Sequence, residues 1–482
     1  MTRPISLRPS SARDVAGTDR SWPFRLPLPS SKRIAAAVLL VSAIPVTALA
    51  QAFPGAVGYG KGADGWRGGR VLSVINTAPE GPGSFRACAE ATGPRVCLVR
   101  VGGTVVLDRP IRVRSNVYIA GQTAPGDGLQ IRLDGQGATP LVIKNAQDVL
   151  VRFLKVRPGP TDTPNANVDA VTVENSQRVY LDHMSLSFAT DETFNIHASR
   201  GLTADITLAR SLLSFSLDRS SHPKGRHSKG ALVCSFDATA TGCGRITLWR
   251  NLFVHHRDRM PDVKASAVGP VEVVNNVFYN PISQFGEYYN LMGDTRIAHL
   301  FNVALPGPST KADPPPAVEV FMLGSEPLAL RAPGNLSYGG PCFTDPGVRV
   351  LGPTARSKRD PSVPLSQGLP ILPAADVVRA VVPMAGDHLH RDTLDIRALD
   401  DLRDCTGKVI DQVSQVGGWP ALPTAAPDPD SDGDGLPDAW EAAHPGLSID
   451  TPDDPWANDP TTGLPFIESY LSMLAGDLPA LR

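Results

Sequence analysis

Seven short runs rich in β-branched and aliphatic residues recur along the middle of the chain, and their spacing limits what it can fold into. Val117-Tyr118-Ile119, Val149-Leu150-Val151, Val179-Tyr180-Leu181, Ile206-Thr207-Leu208, Ile246-Thr247-Leu248, Val271-Glu272-Val273 and Ile297-Ala298-His299 open similar units, with starts 32, 30, 27, 40, 25 and 26 residues apart. A recurrent period of this length signals a repeat architecture. Within each run alternate side chains point to opposite faces, as in a strand. No helical pattern of about 10–15 residues separates the runs, which argues against alternating strands and helices. The pattern predicts an all-β parallel β-helix, in which each coil adds a few short strands and stacked coils bury a continuous core. Asn251, Asn275, Asn276 and Asn302 recur near the ends of the runs. Asn tolerates left-handed backbone and can hydrogen-bond along stacked turns.

The solenoid is expected over residues 51–345, a Pro-rich segment over 346–420 wraps its outside with one amphipathic stretch at Leu394–Leu402, and a linker and acidic tail fill 421–482. Residues 1–50 read as an export signal with a long basic stretch: Arg25, Lys32 and Arg33 precede an apolar run from Ile34 to Ala50, with Ala48-Leu49-Ala50 as a cleavage site. A secreted or periplasmic protein without a membrane span after signal removal follows. Six cysteines in an exported chain suggest disulfides, with about fifteen possible connectivities. Nearest neighbours give Cys88–Cys97 and Cys234–Cys243, and exclusion gives Cys342–Cys405. The net charge of -2 hides a mildly basic body, residues 51–426, carrying +4. Aromatics at 6% argue against stacking surfaces for nucleic acid.

Chemistry-bearing side chains are densest between Asn167 and Lys264. Asn167 and Asp169 precede one strand, and Asp191 and Asn195 lie in the next segment. Lys224 sits in HPKGRH, and Arg259 and Lys264 in HHRDRMPDVK. Coils of about 25–30 residues stack equivalent positions about 4.8 Å apart, so oxygen ligands on one coil would face cations on later ones. A hard cation such as calcium accepts several oxygens in irregular geometry. Bridged to a substrate carboxylate, it would acidify the adjacent carbon, while Lys224 and Arg259 stabilise the developing anion. The residues alone leave Arg259 as either base or carboxylate binder. Asp182 and His183 are adjacent strand residues whose side chains point apart, so each reads as structural, and His255 and His256 point apart in the same way and cannot both face one metal site. His222 and His227 read as loop residues near the substrate.

The segments AFPGAVGYGKGADGWRGG from Ala52, SNVYIAGQTAPGDG, VDAVTVENSQRVYLDHMSLSFATDE, NLFVHHRDRMPDVK, VEVVNNVFYN and GGWP at Gly417 resemble the pectate lyases of polysaccharide lyase family 1. The resemblance implies a right-handed single-stranded parallel β-helix and calcium-dependent β-elimination of α-1,4-linked polygalacturonate. It implies Arg259 as base, Asp169 and Asp191 as calcium ligands, and Lys224 as a substrate-carboxylate contact. Lys264 stands where the family usually has a second Arg, keeping the charge without the bidentate fork. Asn167 and Asn195 stand at ligand positions often held by carboxylates, which weakens a calcium site. The implied partner is an acidic polysaccharide acted on by a monomer. A lyase for methyl-esterified pectin, a hydrolase using paired carboxylates and a non-catalytic carbohydrate-binding solenoid are the alternatives.

The tail carries a second calcium signal. In DSDGDGLPDAWE, Asp430, Asp432 and Asp434 alternate, Gly435 supplies a sharp turn, Leu436 offers a carbonyl, and Asp438 and Glu441 close an EF-hand-like loop. Asn458, Asp459 and Glu468 resemble a degenerate second half.

Overall fold

The computed structural model describes residues 51–479 except 342, 348 and 445. The seven sequence runs are consecutive rungs of one parallel sheet: Val117, Val149, Val179, Ile206, Ile246, Val271 and Ile297 pair directly in that order. Among the described residues this first sheet has ten strands, from Arg70–Val74 to Leu328–Arg331. A second sheet has eight strands, from Ile111–Val113 to Val318–Phe321, and a third has nine, from Gly103–Leu107 to Leu336–Ser337. All pairings between these strands are parallel. Each coil runs from first to third to second sheet and back, as in Val117–Ala120, Leu129–Leu133, Leu141–Lys144 and Gln147–Arg152. The chain is a right-handed parallel β-helix.

Alternation explains the burial. Val117 and Ile119 belong to the continuous interior core. Tyr118 and Ala120 face outward, into a second cluster that includes Trp66, Leu436 and Tyr470. Inside the solenoid, Asn251, Asn276, Asn302 and Asn335 form an amide ladder, each side-chain nitrogen donating to the next carbonyl at 3.0–3.1 Å. Asn275 instead turns outward and exchanges hydrogen bonds with the Leu372 backbone. Left-handed turn positions are not reserved for Asn: Phe153, His183, Arg210, Arg250 and Phe301 adopt φ of 48–54°. Stacked coils hold these residues where sterics alone disfavour them.

Within 346–420, Ala355 joins the interior core and Val363, Leu365 and Leu369 join the outer cluster of the first sheet, while residues 372–419 lie against the outer face of the third sheet. Their helix Thr393–Asp404 contains the expected amphipathic stretch, is capped by the Asp392 carboxylate, and buries Leu394, Ala398 and Leu402 against Phe215, Leu252 and Val277. Arg157, fully buried, ties this helix down through Asp392 and Asp395 at 2.7 Å each. The tail helix Phe466–Leu474 packs on the outer face of the first sheet. Cys88–Cys97 and Cys234–Cys243 are disulfides. Cys405 is also disulfide-bonded, while Cys342 and the export segment 1–50 lie outside the described residues. No helix among the described residues is long and apolar enough to cross a membrane.

Candidate active site

The second sheet gathers the chemistry. Its strand Glu192–Ala198 lies between Val171–Glu174 and Lys229–Phe236, with Asn195 opposite Thr172 and Glu192 opposite Lys229. Further along the stack Asp262 pairs with Glu287. Residues from five coils thereby converge, although they span more than a hundred positions of sequence.

Asp169, Asp191 and Glu192 are buried and offer carboxylate oxygens within 4.8 Å of one another. Asp169 accepts hydrogen bonds from Thr172 Oγ1 at 2.6 Å, the Glu192 amide at 3.1 Å and Asn195 Nδ2 at 3.0 Å. Burial, then the charges of Glu192 and Asp191, hold its pKa well above the usual carboxylate range. Burial and Asp191 push Glu192 up to about 8. Asp191 Oδ1 lies 2.7 Å from His227 Nε2 but accepts no aligned hydrogen bond. The rings of His227 and His222 stack with centroids 3.6 Å apart, and His222 Nε2 lies 3.5 Å from Asp191. Burial and Lys224 lower His222 to about 4. Burial and Lys229 lower His227 further, so both are neutral near pH 7.

Arg259 sits at φ 58°, and its guanidinium contacts the Glu192 carboxylate. Its Nε lies 3.5 Å from Asp262, and its backbone amide donates to Glu287 at 3.0 Å. Burial alone would lower its pKa, but Glu192, Asp262, Asp258 and Asp191 together raise it above the ordinary arginine value. Lys264 Nζ lies 3.2 Å from Asp262 and 5.5 Å from the Tyr289 ring centroid. Lys229 is buried and donates to Asp258 at 2.6 Å. Burial, Asp258 and Asp262 push Glu287 to about 8.

The fold thus joins Asp169, Asp191, Asn195, Arg259 and Lys264 in one connected array. Asn195 turns its amide nitrogen to Asp169 and spends its carbonyl on Ser235 Oγ at 3.0 Å. Asn167 and Lys224 sit exposed. Glu192 and Lys229 are central groups that the sequence reading passed over. Glu192 was hidden as the neighbour of a better candidate, and Lys229 by lying five positions after Lys224. A donor set of crowded, buried carboxylate oxygens, one without an aligned hydrogen bond, fits a hard divalent cation such as calcium.

The other readings of paired residues are structural. Asp182 is buried between Arg152 and Arg210 at 2.7–2.8 Å. His255 faces Asp401 at 3.1 Å, while His256 turns to Ser216 at 2.6 Å.

In the tail, Asp430, Asp432 and Asp434 form one oxygen cluster, and Asp434, Glu441 and Asp453 another. Asp438 departs from the expected loop: its carboxylate accepts from the Ser431 amide at 2.7 Å and hydroxyl at 2.8 Å. Asp453 joins the cluster from outside the motif. Glu468, expected in a second half-site, pairs with Arg67 at 2.8 Å, and Asp459 accepts from Thr461 and Thr462.

A family model described as pectate lyase matches residues 109–303. The probable pectate lyase C of Aspergillus terreus (strain NIH 2624 / FGSC A1156) is 30% identical over 413 residues, covering 81% of this chain and 86% of that protein. This chain belongs to the pectate lyase family.

Membership makes it a polysaccharide lyase. The probable pectate lyase C of Aspergillus flavus is 28% identical over 442 residues, covering 90% of this chain and 96% of the relative. The probable pectin lyase B of Aspergillus niger is 28% identical over 196 residues, covering 40% and 45%. Among solved structures, the major cedar pollen allergen Jun a 1 is 19% identical, with a TM-score of 0.49 and coverage of 69% of this chain and 92% of that one. The pectate lyase family match at 109–303 contains every candidate active-site residue named above and stops well short of the tail cluster.

Proposed function

We propose that this pectate lyase family member cleaves polygalacturonate by calcium-dependent β-elimination. The observation that carries the reading is the buried trio Asp169, Asp191 and Glu192 with Arg259 in contact with it. Asp169, Asp191, Glu192, Asp258, Asp262 and Glu287 outnumber Lys229, Arg259 and Lys264 in this array. A polyanionic chain would be repelled here unless a divalent cation offset the carboxylates. Asp169, Asp191 and Glu192 would hold such an ion, which would supply the positive charge that acidifies the carbon beside a uronate carboxylate.

The chain's own residues do the rest. Lys264, and Lys229 opposite Glu192, hold substrate carboxylates, with Lys224 reaching in from the exposed turn. Arg259 takes the proton from the carbon next to the uronate carboxylate. The electron pair becomes a double bond to the neighbouring carbon, the C–O bond there breaks, and the departing oxygen takes a proton from water. An arginine base needs a lowered pKa. Glu192 and its neighbours work against that, and a cation held by the trio would offset their charge and so favour the neutral form of Arg259. Asn195 sits beside the trio as a neutral group that leaves the ligand charge to the acids.

Export fits the same reading: the basic-then-apolar pattern ahead of residue 51 and the two disulfides suit an oxidising compartment. The test follows ultraviolet absorbance from unsaturated product ends. Growth on polygalacturonate, lost with a chelator and restored by calcium, is the expected result. New reducing ends without absorbance would overturn elimination. Equal turnover of methyl-esterified pectin in chelator would overturn the substrate and calcium assignments together.

A further inference from the structure

We infer that the C-terminal tail holds a hard divalent cation of calcium's class through Asp432, Asp434, Glu441 and Asp453, and that this ion staples the tail onto the first coils of the solenoid. The site stands apart from the catalytic array and does not depend on how that array works.

Glu441 is 1% exposed, and neither of its carboxylate oxygens accepts a hydrogen bond. Asp432 Oδ2 is likewise buried without a partner. A carboxylate withdrawn from water with neither hydrogen bond nor counter-charge is strongly disfavoured. The nearby cation, Arg100, is engaged elsewhere, donating to Asp430 Oδ2 and the Asp428 carbonyl at 2.7 Å each. The unpartnered oxygens belong to one donor set: Asp434 shares a cluster with Asp430 and Asp432 on one side and with Glu441 and Asp453 on the other. Every donor is oxygen, from a loop, a one-turn helix and a later stretch of chain, which suits an ion tolerant of irregular coordination. The Asp453 amide donates to Asp434 Oδ2 at 2.9 Å, and the Ser448 amide donates to Asp453 Oδ2 at 2.7 Å, so the later stretch is already drawn to the loop.

The mechanical role comes from what this loop touches. Arg100 and Asp430 join it to the second strand of the first sheet. Gly435, at φ 100°, backs onto Val71 and Leu98, where a Cβ would sit 2.7 Å from Val71 Cγ1. Leu436 is fully buried in the outer cluster, and Trp456 Nε1 donates to the Gly69 carbonyl at 2.8 Å. These partners lie on the outward face of the first two strands of the first sheet. The ion holds the tail in the shape that covers this face.

Calorimetric titration of the full chain with calcium, paired with thermal unfolding in calcium and in chelator, tests this. Glu441→Gln and Asp453→Asn are each expected to remove one class of calcium site, or weaken it at least about tenfold. Each should shrink the calcium-dependent rise in Tm while leaving the elimination rate at the wild-type value. In chelator Glu441→Gln should unfold no earlier than wild type, because it removes a buried charge without a partner. Asp191→Asn should keep the tail's share of the Tm rise, which separates failure of the tail site from failure of the catalytic reading. Wild-type stoichiometry and an unchanged Tm rise in both tail variants would overturn the proposal.

Discussion

The carboxylates of Asp169, Asp191 and Glu192 are as crowded as those of Asp434, Glu441 and Asp453, but their surroundings differ. Around the first trio stand Arg259, Lys229 and Lys264, each paired to an acid, together with two neutral stacked histidines. Around the second stands Arg100, already engaged, and Glu441 is left with no partner at all. The first is an array whose charges can be redistributed when a charged ligand arrives. Among the described residues, the second is a set of acids with no free cation beside it to meet a substrate carboxylate. On the proposed readings, similar acids serve chemistry in one place and architecture in the other because their counter-charges differ.

The largest expected effect breaks the comparison at its cationic side. Arg259→Ala is expected to lower the elimination rate on polygalacturonate by about 10²–10⁴-fold, the usual worth of a general base. Arg259→Lys keeps charge but loses the fork, and is expected to recover little of that rate at alkaline pH. Near-wild-type turnover by the lysine variant would show that Arg259 only binds. No tail substitution should approach this loss.

The two regions also differ in how far the sequence discloses them. The tail acids Asp432, Asp434 and Glu441 lie within one short stretch, so their spacing alone points to an oxygen-ligand site. Asp453 escaped because it lies twelve residues beyond Glu441, and Asp438 stood in for it because it occupies a motif position. The active-site groups are scattered from Asp169 to Glu287, and only coil stacking brings them together. The repeat itself was legible, since the seven run starts became one ladder of paired residues. What periodicity could not disclose was register in the second sheet, where coil lengths vary. That register sets Glu192 opposite Lys229 and leaves Lys224 on an exposed turn. The left-handed turns at Phe153 and Arg210 were hidden for a related reason, because tertiary stacking rather than residue preference holds them.

A smaller effect sharpens the metal side. Asp191→Asn and Glu192→Gln are each expected to raise the calcium concentration for half-maximal activity by about 10–100-fold, with less change in the rate at saturating calcium. An unchanged calcium titration would remove that residue from the ion's surroundings. In the tail the corresponding contrast is Asp453→Asn against Asp438→Asn. The first should weaken calcium stabilisation. The second removes only a cap on Ser431, costs about 1 kcal/mol, and should leave the calcium dependence of Tm intact.

The smallest expected effect is a pH dependence that both regions share until calcium separates them. Glu192 and Glu287 rise from 4.5 to about 8, and Glu441 rises from 4.5 to about 7. A carboxyl whose pKa is raised by folding binds more protons in the native state than in the unfolded one between those two values. Stability therefore falls as pH climbs through that interval. In chelator, Tm should decline from about pH 6.5 toward pH 8, above the range in which buried neutral histidines such as His222 and His227 contribute the opposite slope. Added calcium takes the place of the protons on Glu192 and Glu441 and should flatten the decline. In Glu441→Gln the part of the slope below about pH 7 should diminish, leaving the part near pH 8 to Glu192 and Glu287. A chelated protein whose Tm rises or stays level across this range would mean that these acids are not held in the crowded, desolvated arrangement on which both sites depend.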